Sequence, residues 1–152
     1  MPVAPFTTHL CTWQAAEAPL RAIRSRVFIQ EQNVPEHLEW DGADAQAVHA
    51  VAQDSAGQAI GTARLLLHGE HAHIGRMAVV PEWRGRGVGS ALLACVIAAA
   101  QAHGARGAFL NAQTSAVPFY LRAGFALEGA EFLDAGIPHR RMTRQWAEVA
   151  AD

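Results

Sequence analysis

Between a strand pattern and a helix pattern the chain reads Arg84-Gly85-Arg86-Gly87-Val88-Gly89. Glycine at every second position lets this backbone adopt left-handed dihedral angles and approach a ligand closely. The helix pattern that follows, Ser90 to His103, places unpaired N-terminal amides beside the turn, where they can bind an anion. Two arginines add positive charge suited to phosphate. The stretch therefore predicts a strand, a phosphate-binding turn and a helix in succession.

Two other phosphate-binding turns do not fit this spacing. A nucleotide P-loop requires GxxxxGK[ST], and no lysine lies near the turn. The dinucleotide fingerprint is GxGxxG, whereas Gly85, Gly87 and Gly89 are spaced GxGxG. A plain structural turn would not need two arginines at a helix N-terminus. With these alternatives excluded, a pyrophosphate group is the expected ligand of the turn.

The surrounding periodicity predicts a mixed, mostly antiparallel central sheet with helices on both faces, in a single α/β (α+β) domain spanning residues 1–152. A first helix is predicted over Ala18 to Phe28, and a short one over Ser115 to Arg122. The predicted strands are Val48 to Gln53, Ile60 to His68, His73 to Val80, Ala108 to Ala112, Phe125 to Leu127 and His139 to Gln145.

Composition and charge exclude several classes of protein. The 152 residues carry a formal net charge of -2, which gives no global field for nucleic acid or an anionic membrane. No apolar run is long enough to span a bilayer, and residues 1–12 lack the pattern of a signal peptide, so a cytoplasmic location is expected. His68, His71 and His73 have no fixed ligand spacing, so no metal site is expected.

The turn and a second segment, Gln113 to Phe125, resemble the GNAT superfamily of N-acetyltransferases. The turn fits the family's coenzyme A pyrophosphate pattern [R/Q]xxGx[G/A], and the segment fits NxxAxxxYxxxGF with Gln113 in place of Asn. The resemblance implies a GNAT-like acyl-CoA N-acyltransferase fold and transfer of an acetyl group from acetyl-CoA to an amine of a small molecule or peptide. It assigns to the coenzyme Met77, Ala78, Val79, Arg84, Gly85, Arg86, Gly87, Val88, Gly89, Ser90, Gln113, Ala116 and Phe119.

A closer likeness is to the ElaA-like branch of that superfamily. It is carried by Arg26-Val27-Phe28 with Glu31-Gln32, by Ile74 to Val79, by Ala112-Gln113, and by Glu131-Phe132 with Gly136 to His139 and Met142. This likeness extends the resemblance over nearly the whole chain. It implies an acceptor pocket near the end of the first helix, with Phe28, Gln32 and Glu39 as candidate substrate contacts. A homodimer is possible.

Acyl transfer to an amine needs a base for the amine and a proton for the departing thiolate. The family's general-acid position is occupied by Tyr120, the only tyrosine in the chain. The strand before the turn, Ile74 to Val80, carries no carboxylate that could act as base. Glu31, Glu39, Asp41 and His139 are the remaining candidates, and Glu31 and His139 are the two preferred.

Two other functions stay open at this point. Arg24, Phe28, Glu39-Trp40-Asp41-Gly42-Ala43-Asp44 and Arg64-Leu65-Leu66 resemble the RxxxF…ExDxxD…RLL pattern of acyl-homoserine-lactone synthases. Those enzymes are usually longer and do not rely on a full glycine turn of this kind. The second alternative is a sensor domain that binds acetyl-CoA without turnover. Direct transfer in a ternary complex is expected, because no cysteine occupies a motif position.

Overall fold

The computed structural model describes residues 5–146, in which seven strands form one sheet. The strands are β1 (Phe6–Cys11), β2 (Val48–Asp54), β3 (Ala59–His68), β4 (His71–Val79), β5 (Gly107–Gln113), β6 (Ala126–Asp134) and β7 (Ile137–Gln145). Their order across the sheet is β1-β2-β3-β4-β5-β7-β6. Every neighbouring pair is antiparallel except β4 and β5, which are parallel. The predicted mixed, mostly antiparallel sheet is confirmed.

Helices cover both faces of this sheet. They are α1 (Trp13–Arg24), α2 (Glu36–Glu39), α3 (Val88–Ala102) and α4 (Val117–Arg122). A side chain at Gly61 of β3 would meet Leu92 of α3, whereas Arg64 of the same strand pairs with Asp44, which also binds Arg24 of α1. Because residues of a strand alternate between the two faces, positions 61 and 64 face opposite sides. The helices α1 and α3 therefore pack on opposite faces.

The first helix differs from its prediction at both ends. It begins at Trp13, after Thr12, whose hydroxyl accepts a hydrogen bond from the amide of Ala15 at 3.2 Å. This N-cap satisfies an amide that the helix itself leaves unpaired. Beyond Arg24 the chain widens into a π-helical segment, Ser25–Glu31. The predicted span of Ala18 to Phe28 therefore joined parts of two elements, and wide turns of this kind are frequent at functional sites.

Two parts of the sheet were missed or underestimated from the sequence. The first strand, β1, was not predicted, and β6 extends well beyond the predicted Phe125 to Leu127. Every residue of β6 is exposed, so the strand has no buried face to give an alternating apolar pattern. Pairing with β2 and β7, rather than local sequence, holds these two strands in the sheet.

The core lies between the sheet and α3, and it brings that helix very close to β3. Leu92, Leu93, Val96 and Ala100 of α3 are buried. A Cβ atom at Gly61 would lie 3.0 Å from Leu92 Cδ1. Glycine allows this close approach without displacing its neighbours, which brings the first turns of α3 close to the sheet.

A cleft opens between β4 and β5, and it positions the candidate site. The two strands pair only from His71 with Gly107 to His73 with Phe109. On its other edge β4 contains a bulge, because β3 advances two residues from Thr62 to Arg64 while β4 advances three. A bulge bends the strand that carries the extra residue. The carboxyl end of β4 is therefore separated from β5.

Candidate functional site

The glycine turn has the backbone conformation that its sequence predicts. Gly85 and Gly87 have φ angles of 75° and 85°, in the left-handed region that favours glycine. The helix α3 begins at Val88, directly after Gly87. Because Gly87 has no side chain, no side chain at the N-cap covers the first amides of α3. These amides and the positive end of the helix dipole form an anion cradle.

Two adjoining grooves run along the start of α3. The first, of about 350 Å³, is lined by the glycine turn together with Val79, Trp83, Ser90, Phe119 and Arg122. The second, of about 310 Å³, lies between α3 and α4 and is lined by Ser90, Leu93, Ala94, Ile97, Phe119, Arg122, Ala123 and Arg144. Ser90, Phe119 and Arg122 border both grooves, which therefore form one continuous surface.

Arg122 and Arg144 were not among the predicted site residues. Arg122 lies three positions after Phe119 in α4, a spacing that places both side chains on one face of a helix. That spacing was the available signal, since both residues fall within the segment that resembles the GNAT pattern. Arg144 comes from β7 and donates to the carbonyl of Ala123 at 3.2 Å, a contact that only the tertiary fold creates.

The two arginines of the turn have different partners. Arg84 donates to both carboxylate oxygens of Glu31, each at 2.7 Å, and its Nε donates to the carbonyl of Val79 at 2.9 Å. The guanidinium of Arg86 lies 5.1 Å from the ring centre of Trp83. The hydrogen bonds from Arg84 lower the pKa of Glu31. Glu31 is thus bound to the turn that was assigned to the coenzyme, rather than free to take up a proton.

The end of β4 offers an uncovered backbone edge to the cleft. Ala78 and Val79 pair with Thr62 and Gly61 of β3 on one side, while within residues 5–146 no strand pairs with them on the other. The sequence assigned Met77, Ala78 and Val79 to the coenzyme. An extended ligand could bind this edge as an added strand would. On the helix side of the cleft the start of α3 lies close to α4, since a Cβ atom at Gly89 would lie 3.5 Å from the Phe119 ring.

Tyr120 is buried in α4, with 7% of its surface exposed. Its ring makes edge-to-face contacts with Phe119 and Phe125, at centroid distances of 4.9 and 6.0 Å. Burial raises the pKa of Tyr120 to about 12. Desolvation disfavours the phenolate, so the side chain stays protonated across the physiological range. A protonated phenol is the state that a general acid requires.

His139 and Gln113 lie together at the far end of β5 and β7. They are direct partners in the antiparallel register, which places their side chains on the same face of the sheet. His139 is 8% exposed, and its Nδ1 lies 2.7 Å from the carbonyl oxygen of Ile137. Because a carbonyl can only accept, Nδ1 must carry the hydrogen. In the neutral ring Nε2 then has a free lone pair.

Gln32 is brought to the same place, whereas Phe28 and Glu39 are not on an open surface. The amide of Gln113 donates to Gln32 Oε1 at 2.7 Å, which joins the end of β5 to the end of the π-helical segment. Phe28 packs in the main core. Glu39 is 2% exposed and accepts from Arg24 Nε at 2.7 Å. The predicted acceptor contacts therefore divide into one residue beside the cleft and two in the interior.

The other residues assigned to the coenzyme, Val88, Ser90 and Ala116, lie at or near the starts of α3 and α4. Ser90 borders both grooves, whereas the side chain of Val88 is buried in the core, so only its backbone can reach a ligand. Ala116 packs against the core before α4.

Within residues 5–146 no helix is long and apolar enough to cross a membrane, and no group of three or more His, Cys, Asp or Glu side chains could hold a metal ion.

Comparison with known proteins agrees with this geometry. The family model described as "Acetyltransferase (GNAT) domain" matches residues 12–146. A Bacillus subtilis protein named as the uncharacterized N-acetyltransferase YjcF is 39% identical over 123 residues, covering 80% of this chain and 87% of its own length.

Solved structures agree as well. Escherichia coli ElaA superposes with a TM-score of 0.83 at 25% identity, over 93% of this chain and 100% of that one. An acyl-CoA N-acyltransferase from Pseudomonas aeruginosa gives a TM-score of 0.78 at 30% identity, over 92% and 98% of the two chains. With the family match, these structures confirm the predicted resemblance and the acyltransferase class of the enzyme. The chain belongs to the GNAT family of acetyltransferases.

Proposed function

We propose that this acyltransferase moves an acetyl group from acetyl-CoA to a primary amine, by direct transfer while both substrates are bound. The observation that carries the proposal is the set of uncovered amides at the start of α3, which opens onto both grooves and the cleft. A pyrophosphate at these amides would lie between the two ends of an extended coenzyme.

The described residues fit each part of such a coenzyme. The amides after Gly87, with Arg84 and Arg86, suit the pyrophosphate. The uncovered edge of Met77 to Val79 suits the amide groups of the pantetheine arm, which can pair with a strand. The second groove has apolar walls from α3 and two arginines, Arg122 and Arg144, suited to an adenosine with a 3′-phosphate. Dephospho-coenzyme A should therefore bind less tightly than coenzyme A.

Tyr120 is the proposed general acid. The leaving group of the reaction is a thiolate, and a phenol whose pKa is raised to about 12 by burial remains a proton donor at every working pH. The amine attacks the thioester carbon, the carbon–sulfur bond breaks, and the proton from Tyr120 goes to sulfur. The proton that the attacking nitrogen loses then restores the phenol.

His139 is the proposed general base. Its Nδ1 donates to Ile137, so the lone pair on Nε2 can accept a proton from the ammonium form of the acceptor. Glu31 is less suited to this step, because its carboxylate binds Arg84 through two hydrogen bonds. We therefore propose that Glu31 holds Arg84 against the turn. Gln32 is the proposed acceptor contact, and Gln113 orients it through the hydrogen bond to its Oε1.

Direct transfer is supported by the state of the two cysteines. Cys11 and Cys95 are both half-buried and free. The pKa of each thiol is raised, and the largest cause is the loss of solvation on burial. A covalent acetyl carrier needs the thiolate, so neither residue is suited to carry the acetyl group.

The proposal is tested by a panel of amines, with acetyl-CoA as donor and free thiol release as readout. Mass spectrometry of the amine product identifies the acceptor, and initial rates at several concentrations of both substrates should give intersecting lines. Tight binding of acetyl-CoA with no turnover on any amine would support the sensor alternative instead. Parallel lines, with an acetylated enzyme that passes its group to an amine, would overturn direct transfer.

A further inference from the structure

A cluster of six charged side chains lies on the α1 face of the sheet, and the proposed reaction uses none of them. Its members are Arg24, Arg64, Arg76, Glu39, Asp41 and Asp44, and we call it the charged cluster. Arg24 Nη1 lies 2.6 Å from Asp44 Oδ1, and Arg64 Nη2 lies 2.8 Å from Asp41 Oδ2. Arg76 is 3.2 Å from Glu39 and 3.3 Å from Asp41. Five of the six stand in the pattern that resembles acyl-homoserine-lactone synthases. Each of the three arginines pairs with two of the three carboxylates.

Stability alone is a poor explanation for this cluster. Arg24, Arg64 and Glu39 are almost completely buried, and burying a charge costs solvation energy that its partners only partly return. Apolar side chains of similar volume often stabilise an interior equally well or better. The carboxylate of Glu39 shows this cost, because burial raises its pKa against the lowering effects of Arg76 and Arg24.

Arg76 connects the charged cluster to the cleft. Its φ angle is 50°, in the left-handed region that a residue with a side chain seldom occupies. It lies in the bulge of β4, between Gly75 and Ala78, directly before the uncovered edge. Its Nη2 also donates to the carbonyls of Leu38 and Glu39, at 3.2 and 3.1 Å. Strained backbone of this kind persists only where the surroundings determine it fully.

We propose that the charged cluster is a positioning device, in which Glu39 and Asp41 hold Arg76 in its left-handed conformation and so keep the bulge that bends β4 away from β5. Without these partners, the strain at residue 76 favours extended backbone. The ladder between β4 and β5 could then continue past His73 and Phe109, closing the edge at Met77 to Val79. Arg76 is in this view a positioning residue, which acts on the coenzyme through the shape of the strand.

The role of the backbone can be separated from the role of the charge by two substitutions at one position. Arg76→Ala removes the ion pairs and keeps the strain, whereas Arg76→Gly removes both, since glycine adopts positive φ readily. We expect Arg76→Ala to weaken binding of coenzyme A, measured by titration calorimetry, about tenfold or more, and Arg76→Gly to weaken it less than about threefold. Equal binding by the two variants, whether both weak or both strong, would overturn the proposal.

A second pair of variants tests whether the rest of the charged cluster acts through Arg76. Glu39→Gln should weaken coenzyme A binding in the original chain, and it should have no further effect in the Arg76→Gly background. Additive losses in the double variant would overturn the proposal. Arg21→Gln is the matched control. Arg21 and Arg24 both lie over the rings of Trp13 and Trp40, but within the described chain Arg21 pairs only with the exposed Glu17.

The binding assay assumes the proposed function, because it requires that the chain bind coenzyme A. Hydrogen exchange does not require that binding, so it separates failure of this inference from failure of the proposed function. If the original chain does not bind coenzyme A, the proposed function fails, but the bulge can still be examined. In Arg76→Ala, those amides of residues 75–79 and 109–113 that point into the cleft should exchange about tenfold more slowly than in the original chain, and in Arg76→Gly they should not. Unchanged exchange in Arg76→Ala would overturn the inference. Thermal unfolding of each variant confirms that a folded protein was measured.

Discussion

Removal of one oxygen atom, by Tyr120→Phe, tests the chemical step most directly. No hydrogen bond joins the Tyr120 hydroxyl to another of residues 5–146, and its pKa is raised by burial alone. The ring contacts with Phe119 and Phe125 remain available to phenylalanine. The free energy of unfolding should therefore change by less than about 1 kcal/mol. A loss of activity in this variant then reflects the reaction and not the fold.

The expected loss is about hundredfold in kcat, at the lower end of the usual contribution of a general acid. The lower end applies because a thiol, with a pKa near 8.5, leaves more easily than most groups that need acid catalysis. A hundredfold loss corresponds to about 2.7 kcal/mol of transition-state stabilisation. The KM for acetyl-CoA should stay within about twofold, since the hydroxyl acts on sulfur only as the bond breaks.

The pH profile gives a second readout for Tyr120. A general acid must be protonated, and a pKa raised to about 12 keeps the phenol protonated up to about pH 11. The kcat of the original enzyme should therefore show no decline from Tyr120 below pH 11. A kcat for Tyr120→Phe within threefold of the original would refute the acid role. An alkaline decline near pH 10 that the variant abolishes would keep that role but refute the raised pKa.

Three further predictions follow from the same geometry. His139→Gln should lower kcat about hundredfold, whereas Glu31→Gln should keep it within about threefold, and the reverse order would return the base role to Glu31. Gly61→Ala should destabilise the fold by about 1–3 kcal/mol in denaturant unfolding, because its Cβ would press on α3, and an unchanged midpoint would contradict that contact. Burial lowers the pKa of His73 to about 4, so protonation favours the unfolded chain and stability should fall as pH drops from about 6.5 to 4. His73→Phe, which can keep the stacking on Phe109, should reduce that slope, and an equal slope in the variant would refute the assignment.

Local sequence patterns predicted the parts of the site that depend on neighbouring residues. The glycine turn combines backbone conformation, helix start and charge within a few positions, so its geometry follows from its sequence. Tyr120 lies seven residues after Gln113, within one recognisable segment. Both features could be placed because they need only one strand and one helix to form.

The charged cluster could not be predicted in this way. Glu39 has the sequence of an exposed turn residue, and only the packing of α2 over β4 buries it beside Arg24 and Arg76. The left-handed conformation of Arg76 has no local signature either, since glycine or asparagine would be the expected residue there. The exposed strand β6 was underestimated for a related reason, because partner strands determine its extent.

The short ladder between β4 and β5 divides the protein into two contiguous halves. Strands β1 to β4 come from residues 6–79 and strands β5 to β7 from residues 107–145, and the chain passes between them once, through α3. Cutting the backbone near Gly104 would leave two fragments, each with an intact group of strands. Three residue pairs join their sheet edges, and the core that packs on α3 spans both fragments. A coenzyme that binds the cleft as proposed above would touch both fragments and favour their reassembly. The activity of such a split enzyme would then rise with the concentration of the co-substrate, because the bound co-substrate holds the two fragments together.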